Sequence, residues 1–347
     1  MKKESTVKLL RVMTFLLCTA LLLTFLTAFC KRKTYGGAWN YMAKLNEFYA
    51  MENDTLDYIC VGSSHMYCSI NPLEVWDQTG AAGFILATQQ QPLMASYHYI
   101  REAFKTQSPK IVFVEAWMGS AGELPDSAVL YDALDPLKFS LNKLQMIHNL
   151  VPKGERKAYY FSLIKYHSRF LGMSLREMAI FAKSLFITPM DTYKGFAPLD
   201  GDCEASNLLP DYDAVEAAQL SQYNLDSLHN MKELIEANGA QMVLLFAPYG
   251  TQDASLVSTM KGMQQWAREN GVEVLDYAIM LDTLSIDPQE DYYDGGHLDV
   301  SGAAKLSRHF ARWLAEKGIT NTPGVDAAKW QTDLDTYLAE FHADLNP

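Results

Sequence analysis

Asp57-Tyr58-Ile59-Cys60-Val61-Gly62-Ser63-Ser64-His65 reads as a compact apolar strand running into a small-residue turn. The first half has the length and character of a buried strand. The second half carries two hydroxyls and an imidazole. A strand ending in Gly-Ser-Ser sets a hydroxyl at the carboxyl edge of a sheet, where open α/β folds keep their ligands. Gly62 permits the sharp turn there.

Working outward, strand and helix patterns alternate. Strands are expected at Asp57 to Gly62, Gly83 to Ala87, Lys110 to Ala116, Gln241 to Ala247 and Val272 to Asp276. Helices are expected at Pro92 to Phe104, Gln252 to Glu269 and Ser301 to Lys317, the last with Ser301 as its N-cap. Strands separated by helices imply a parallel sheet covered on both faces, with right-handed crossovers. The rhythm breaks between the third and fourth strands. Met118 to Asp211 holds helical pieces at Tyr131 to Asn149, Tyr159 to Phe170 and Ser174 to Phe186, and is expected to fold as a helical cap over the carboxyl edge of the sheet. Within it, Lys165 to Phe170 is a polar-aromatic cluster whose Arg169 is a candidate anion holder. Beyond Thr320, Trp330, Leu334, Leu338, Phe341 and Leu345 recur at helical spacing and predict an amphipathic helix packed on the body.

Val12 to Phe29 contains no charge and is long enough to cross a bilayer. Basic residues flank it on both sides, so the charge rule orients it poorly. No Ala-x-Ala site follows, which favours an uncleaved anchor with the domain outside over a signal peptide. The expected division is an anchor at 1–33, a juxtamembrane segment at 34–54, the α/β domain at 55–319 with its insertion at about 118–211, and a C-terminal helix at 320–347. The chain carries a net charge of −12. The part beyond residue 33 holds 22 basic and 40 acidic side chains, a net of −18. Such a domain repels nucleic acid and anionic lipid surfaces, and no nucleic-acid partner is expected. The lipid bilayer is met through the N-terminal helix. Cys68 and Cys203 pair only if folding brings them together, and no Cys/His spacing suggests a metal.

Far downstream stands Asp291-Tyr292-Tyr293-Asp294-Gly295-Gly296-His297-Leu298-Asp299. An acid three residues before a His, across two glycines, can fold back to orient the imidazole. Ser64, His297 and Asp294 then supply the nucleophile, base and orienting acid of acyl chemistry. Gly-x-Ser after the first strand, with Asp-x-x-His-Leu before a final helix, resembles the SGNH (GDSL-type) hydrolase superfamily. A single anchor before such a domain is similar to the branch containing the D-alanyl-lipoteichoic acid transfer protein and the alginate O-acetylation proteins. The resemblance spans about Asp57 to Leu314.

It implies a flavodoxin-like three-layer sandwich and an extracytoplasmic serine esterase or O-acyltransferase. Acyl groups on a cell-envelope glycan or another acyl ester would be handled through an acyl-Ser64 intermediate. A membrane-bound O-acyltransferase is a candidate partner, and no cofactor or metal is implied. Ser63 is the competing nucleophile, and His65 is expected in the pocket wall or in solvent, as a candidate substrate-binding residue. The family's Gly after the second strand and Asn after the third are missing here. The Ser64 N–H, the N–H groups of Gln89 and Gln90, and the Gln90 amide are the remaining oxyanion candidates. The alternatives are a non-catalytic scaffold of the same fold in an envelope acylation complex, and a lipase or thioesterase with an apolar groove.

Overall fold

A computed structural model describes residues 2–31, 40–120, 127–201, 212–250 and 253–341. The chain divides into two compact units, 1–35 with 151–188, and 36–150 with 189–347. In chain order the helices and strands are α1 (Lys2–Cys30), α2 (Tyr41–Ala50), β1 (Tyr58–Gly62), α3 (Ser64–Ser69), α4 (Pro72–Thr79), β2 (Gly83–Ala87), α5 (Leu93–Ala103) and β3 (Ile111–Glu115). There follow α6 (Ser127–Leu134), α7 (Leu141–Leu150), α8 (Arg156–Tyr160), α9 (Leu163–Tyr166), α10 (Leu175–Ser184), α11 (Gln222–Ala237) and β4 (Gln241–Phe246). The last are α12 (Ala254–Glu269), β5 (Glu273–Asp276), α13 (Leu281–Leu284), α14 (Val300–Glu316) and α15 (Ala327–Phe341).

In the larger unit the five strands form one parallel sheet in the order β2-β1-β3-β4-β5, the 2-1-3-4-5 order of a doubly wound fold. β1, β2 and β3 are buried along their whole length, as apolar strands with both faces covered must be. On one face α14 packs on α3 and α4, with Phe310 and Trp313 edge-on to Phe113 of the central strand. On the other, α5 lies between α7 and α11. All five expected strands are present, each trimmed by at most a residue at either end. The N-cap of α14 is Asp299, not Ser301. One carboxylate oxygen accepts both the Ser301 and Gly302 N–H groups at 2.9 Å, and the Ser301 hydroxyl lies between that oxygen and Asp291 Oδ1.

The expected insertion is divided between the two units. Its first part, α6 and α7, belongs to the larger unit and packs beside α5, where the Tyr99 hydroxyl donates to the Ala133 carbonyl at 2.8 Å. Residues 151–188 group with the N-terminal helix in the smaller unit. The chain then runs along the outer edge of β2. There the Ile85 N–H donates to the Lys194 carbonyl at 3.0 Å, and the Leu199 carbonyl accepts from Val300. Gly195, at φ +86°, passes so close that a Cβ would lie 2.1 Å from the Ile85 carbonyl oxygen. Residues 202–211, with Cys203, lie outside the described residues. Cys60 and Cys68 are buried free thiols.

Residues 41–50, within the segment read as juxtamembrane, form α2, with Tyr41, Leu45 and Phe48 buried. Glu47 of α2 meets the buried Lys194 ammonium at 3.1 Å, and Asp333 of α15 meets it from the other side. Trp330 of α15 packs against Trp76 and Leu334 is buried, whereas Leu338 of the expected stripe is exposed and Leu345 lies outside the described residues. In the smaller unit, α1 is long and apolar enough to cross a membrane.

His98 joins α5 to α7. Its Nδ1 lies 2.8 Å from Asn142 Oδ1, and its Nε2 lies 3.1 Å from the Asn149 amide nitrogen. The neutral ring with hydrogen on Nδ1 satisfies both, whereas a proton on Nε2 would face a donor. Burial lowers its pKa from 6.5 to about 4. As pH falls, the unfolded chain takes up this proton first. The stabilisation is therefore complete above about pH 6.5 and drains away toward pH 4, reaching about 3 kcal/mol. Urea midpoints followed against pH should show the wild type losing ground to His98→Gln over this window. A constant difference would show that His98 does not titrate with folding.

Candidate active site

Two loops meet at the carboxyl edge of the sheet. The first leaves β1 at Gly62 and enters α3 at once, so Ser64 stands in the first turn of that helix. Ser63 is its N-cap, with its Oγ accepting the His65 N–H at 3.3 Å. The second loop follows β5 and precedes α14. An antiparallel bridge joins Tyr292 and Leu298, and the Tyr293 N–H donates to the His297 carbonyl at 2.9 Å. Asp294-Gly295-Gly296 is thereby folded into a tight turn. Asp294 Oδ1 accepts the Gly296 and His297 N–H groups at 2.8 and 2.9 Å, which fixes the carboxylate before it meets the ring.

The side chains come into line. His297 Nδ1 lies 2.8 Å from Asp294 Oδ1, and its Nε2 lies 2.8 Å from Ser64 Oγ. With hydrogen on Nδ1, the bare Nε2 can accept the serine proton. The arrangement can activate a hydroxyl and hold the imidazolium that results. Ser64 is buried, whereas the Asp294 side chain is 47% exposed. Ser63 is differently employed: its Oγ donates to Glu115 Oε2 at 2.7 Å, and its N–H donates to the same oxygen at 2.9 Å. It is tied beneath the turn and makes no bond to His297.

Glu115 is a residue the sequence did not single out. It ends β3, is buried, and receives the Trp117 N–H at 2.5 Å on its other oxygen. Burial pushes its pKa up, while the three donors pull toward the ionised form. This carboxylate joins the turn after β1 to the turn after β3. Gly62 makes room for it, since a Cβ there would lie 2.5 Å from Glu115 Cβ. The available signal was an acid closing an otherwise apolar strand.

Tyr67 and Tyr41 were also missed. Tyr67 follows Ser64 by three residues, one helical turn, and its hydroxyl hydrogen-bonds with the Ser64 side chain. It also lies 3.4 Å from the Tyr41 hydroxyl of α2, which accepts the Gln89 N–H at 3.1 Å. The Gln89 N–H is thus already engaged. Gln90 is an exposed residue at φ +46°. The donors can run in one direction, from Gln89 through Tyr41 and Tyr67 to Ser64, His297 and Asp294.

His65 is more central than a pocket wall. Its ring stacks on His297 at 4.9 Å and 9°, with Trp117 at 4.5 Å and Tyr249 at 4.9 Å on other sides. Burial, and then the neighbouring His297, hold its pKa well below the usual imidazole range, so it stays neutral beside the base. His65 Nδ1 and Trp117 Nε1 are buried without partners among the described residues. Arg169 is occupied in the smaller unit by Glu177 and by the Cys30 carbonyl at 3.2 Å, so it is no free anion holder. Among the described residues no group of three His, Cys, Asp or Glu could hold a metal ion.

No protein-family model matches the sequence, and no curated protein matches it. A solved gut microbial diltiazem-metabolizing enzyme is similar at 12% identity and a TM-score of 0.30, over 76% of this chain and 48% of that one. This chain thus spans about half of that protein's length, and a likeness at that score carries no argument about fold or chemistry.

The Glu115 clamp should be unforgiving. Gly62→Ala forces its new methyl onto Glu115 and should cost about 1–3 kcal/mol. Glu115→Gln turns an amide NH2 toward groups that are all donors and should cost about as much. Thermal unfolding checks both, and midpoints unchanged from wild type would show that the turn does not rest on this carboxylate.

Proposed function

We propose that this protein is a membrane-anchored serine acyl-transfer enzyme of the SGNH kind, working through an acyl-Ser64 intermediate. The observation that supports it is the Asp294–His297–Ser64 alignment at the carboxyl edge of a parallel sheet. In the first half-reaction Ser64 Oγ attacks an ester carbonyl while its proton passes to His297 Nε2. Asp294 stabilises the imidazolium. His297 then returns the proton to the departing alcohol oxygen, leaving the acyl group on Ser64. In the second half, His297 takes a proton from water or from a glycan hydroxyl, whose oxygen attacks the acyl-serine. His297 finally protonates Ser64 Oγ as it leaves.

The oxyanion needs donors. The Ser64 N–H, in the first turn of its helix, has no intrahelical carbonyl to meet. The family's Gly and Asn motifs are missing, and Tyr67 is the group on hand to replace them. Its hydroxyl is hydrogen-bonded to Ser64, and we assign it the role of a donor to the oxyanion. The unpartnered His65 and Trp117 nitrogens favour a polar, hydroxyl-bearing substrate over a long alkyl chain. With α1 as an anchor, a cell-envelope polymer is the acceptor we favour, with a membrane-bound O-acyltransferase as the acyl donor's source. That reading places the larger unit on the extracytoplasmic side.

A fluorophosphonate probe followed by intact-mass analysis tests the chemistry. One adduct on Ser64 is expected, with none in Ser64→Ala and almost none in His297→Ala. Asp294→Asn should be about a hundredfold less damaging than either, since it orients and does not react. Tyr67→Phe should slow acylation by roughly a hundredfold. Ser63→Ala should label well but lose about 1 kcal/mol of stability with its cap. Labelling that survives Ser64→Ala and vanishes in Ser63→Ala would reassign the nucleophile, and no labelling of wild type would leave the scaffold reading.

A further inference from the structure

Residues 151–188 carry seven Lys and Arg against two Glu, in a chain whose net charge is −12. They also leave large apolar side chains in the open. Phe161, Ile164, Leu171, Leu175, Phe186 and Ile187 are all more than half exposed, Phe186 at 88%. Soluble surfaces seldom gather so many large apolar groups in so short a stretch. Exposed Lys153, Lys157, Arg176 and Lys183 lie among them.

This segment belongs to the same compact unit as α1. It meets α1 at its carboxyl end. Phe181 of α10 stands edge-on to Phe25 and Phe29 at 5.6 and 5.1 Å, and Arg169 donates to the Cys30 carbonyl. If α1 spans the bilayer, its last turn marks the level where hydrocarbon gives way to headgroups. Short helices with open ends cannot sit deeper, because their free N–H and C=O groups need water or headgroup partners. At that level, exposed leucines and phenylalanines can enter the acyl boundary while lysines and arginines stay at the phosphates.

We propose that residues 151–188 form an interfacial collar around the end of the anchor, with its apolar side chains inserted in the membrane surface and its basic residues on anionic lipid headgroups. The lipid is favoured over a protein partner on two grounds. The exposed surface continues the lipid-facing surface of α1, and its positive charge complements an anionic leaflet. The proposal rests on α1 being a membrane helix and not on the chemistry of Ser64.

The test is photo-crosslinking of the full chain in vesicles of phosphatidylcholine with one-quarter phosphatidylglycerol and a diazirine-bearing acyl chain. Adducts are expected in peptides from 2–30 and also from 161–187. Removing phosphatidylglycerol should reduce the second set several-fold and spare the first. The double substitution Lys157→Glu, Lys183→Glu should do the same in anionic vesicles without moving the thermal midpoint. Adducts confined to 2–30 would overturn the proposal. So would equal yields at 161–187 with and without the anionic lipid. If those adducts are missing and an introduced Leu171→Cys is shielded from a soluble maleimide only in native membranes, the surface belongs to a protein partner instead. Absence of adducts even at 2–30 would remove the anchor, and the collar with it.

Discussion

A carboxylate enclosed in protein must be surrounded by donors, and at Glu115 those donors come from the backbone on either side of the site. The N–H and hydroxyl of Ser63 and the N–H of Trp117 converge on it. Since β1 and β3 are adjacent in the sheet, one side chain at the end of β3 reaches the turn that follows β1. Removing such a partner from a buried network leaves desolvated groups unmatched, which makes the geometry stiff. The position of Ser64 follows from that stiffness, and the tight turn at Asp294 is fixed by its own backbone bonds. The 2.8 Å approach of His297 to Ser64 is thus the meeting of two loops that are each set independently.

The same region shows how two imidazoles share a small space. As the proposed base, His297 must be able to accept a proton, and His65 is stacked against it at 4.9 Å. A second charge at that distance would oppose the first. Burial keeps His65 neutral, so its ring meets His297 as a flat apolar face with one unpaired nitrogen.

Much of this was legible in the sequence, and the rest was not for identifiable reasons. The strands were legible because each is a short apolar run bounded by polar or small residues. The grouping of Ser64, His297 and Asp294 was legible because its signals are local: a hydroxyl in a turn, and an acid and an imidazole three residues apart. Glu115 lies 52 positions from Ser63, and only the register of β1 with β3 brings them together. Tyr41 sits in a stretch that looked like a spacer, and its helix is revealed only by the hydrophobic side chains it buries. Arg169 looked free because its partner Glu177 lies on a neighbouring helix eight residues away. Asp299 and Ser301 are both good caps, and sequence alone does not rank a carboxylate that can take two donors above a hydroxyl.

The serine and its base are 233 positions apart, with the serine near the start of the domain and the base near its end. At the usual pace of synthesis, about 5–20 residues per second, Ser64 is made roughly 10–50 s before His297. Through that interval the nascent chain holds a serine with no base. The buried Lys194 follows Glu47 but meets Asp333 only after His297 has been made. On the proposed mechanism the serine therefore stays inert until the loop at Asp294 has been made and folded, and a chain cut short before His297 is chemically silent.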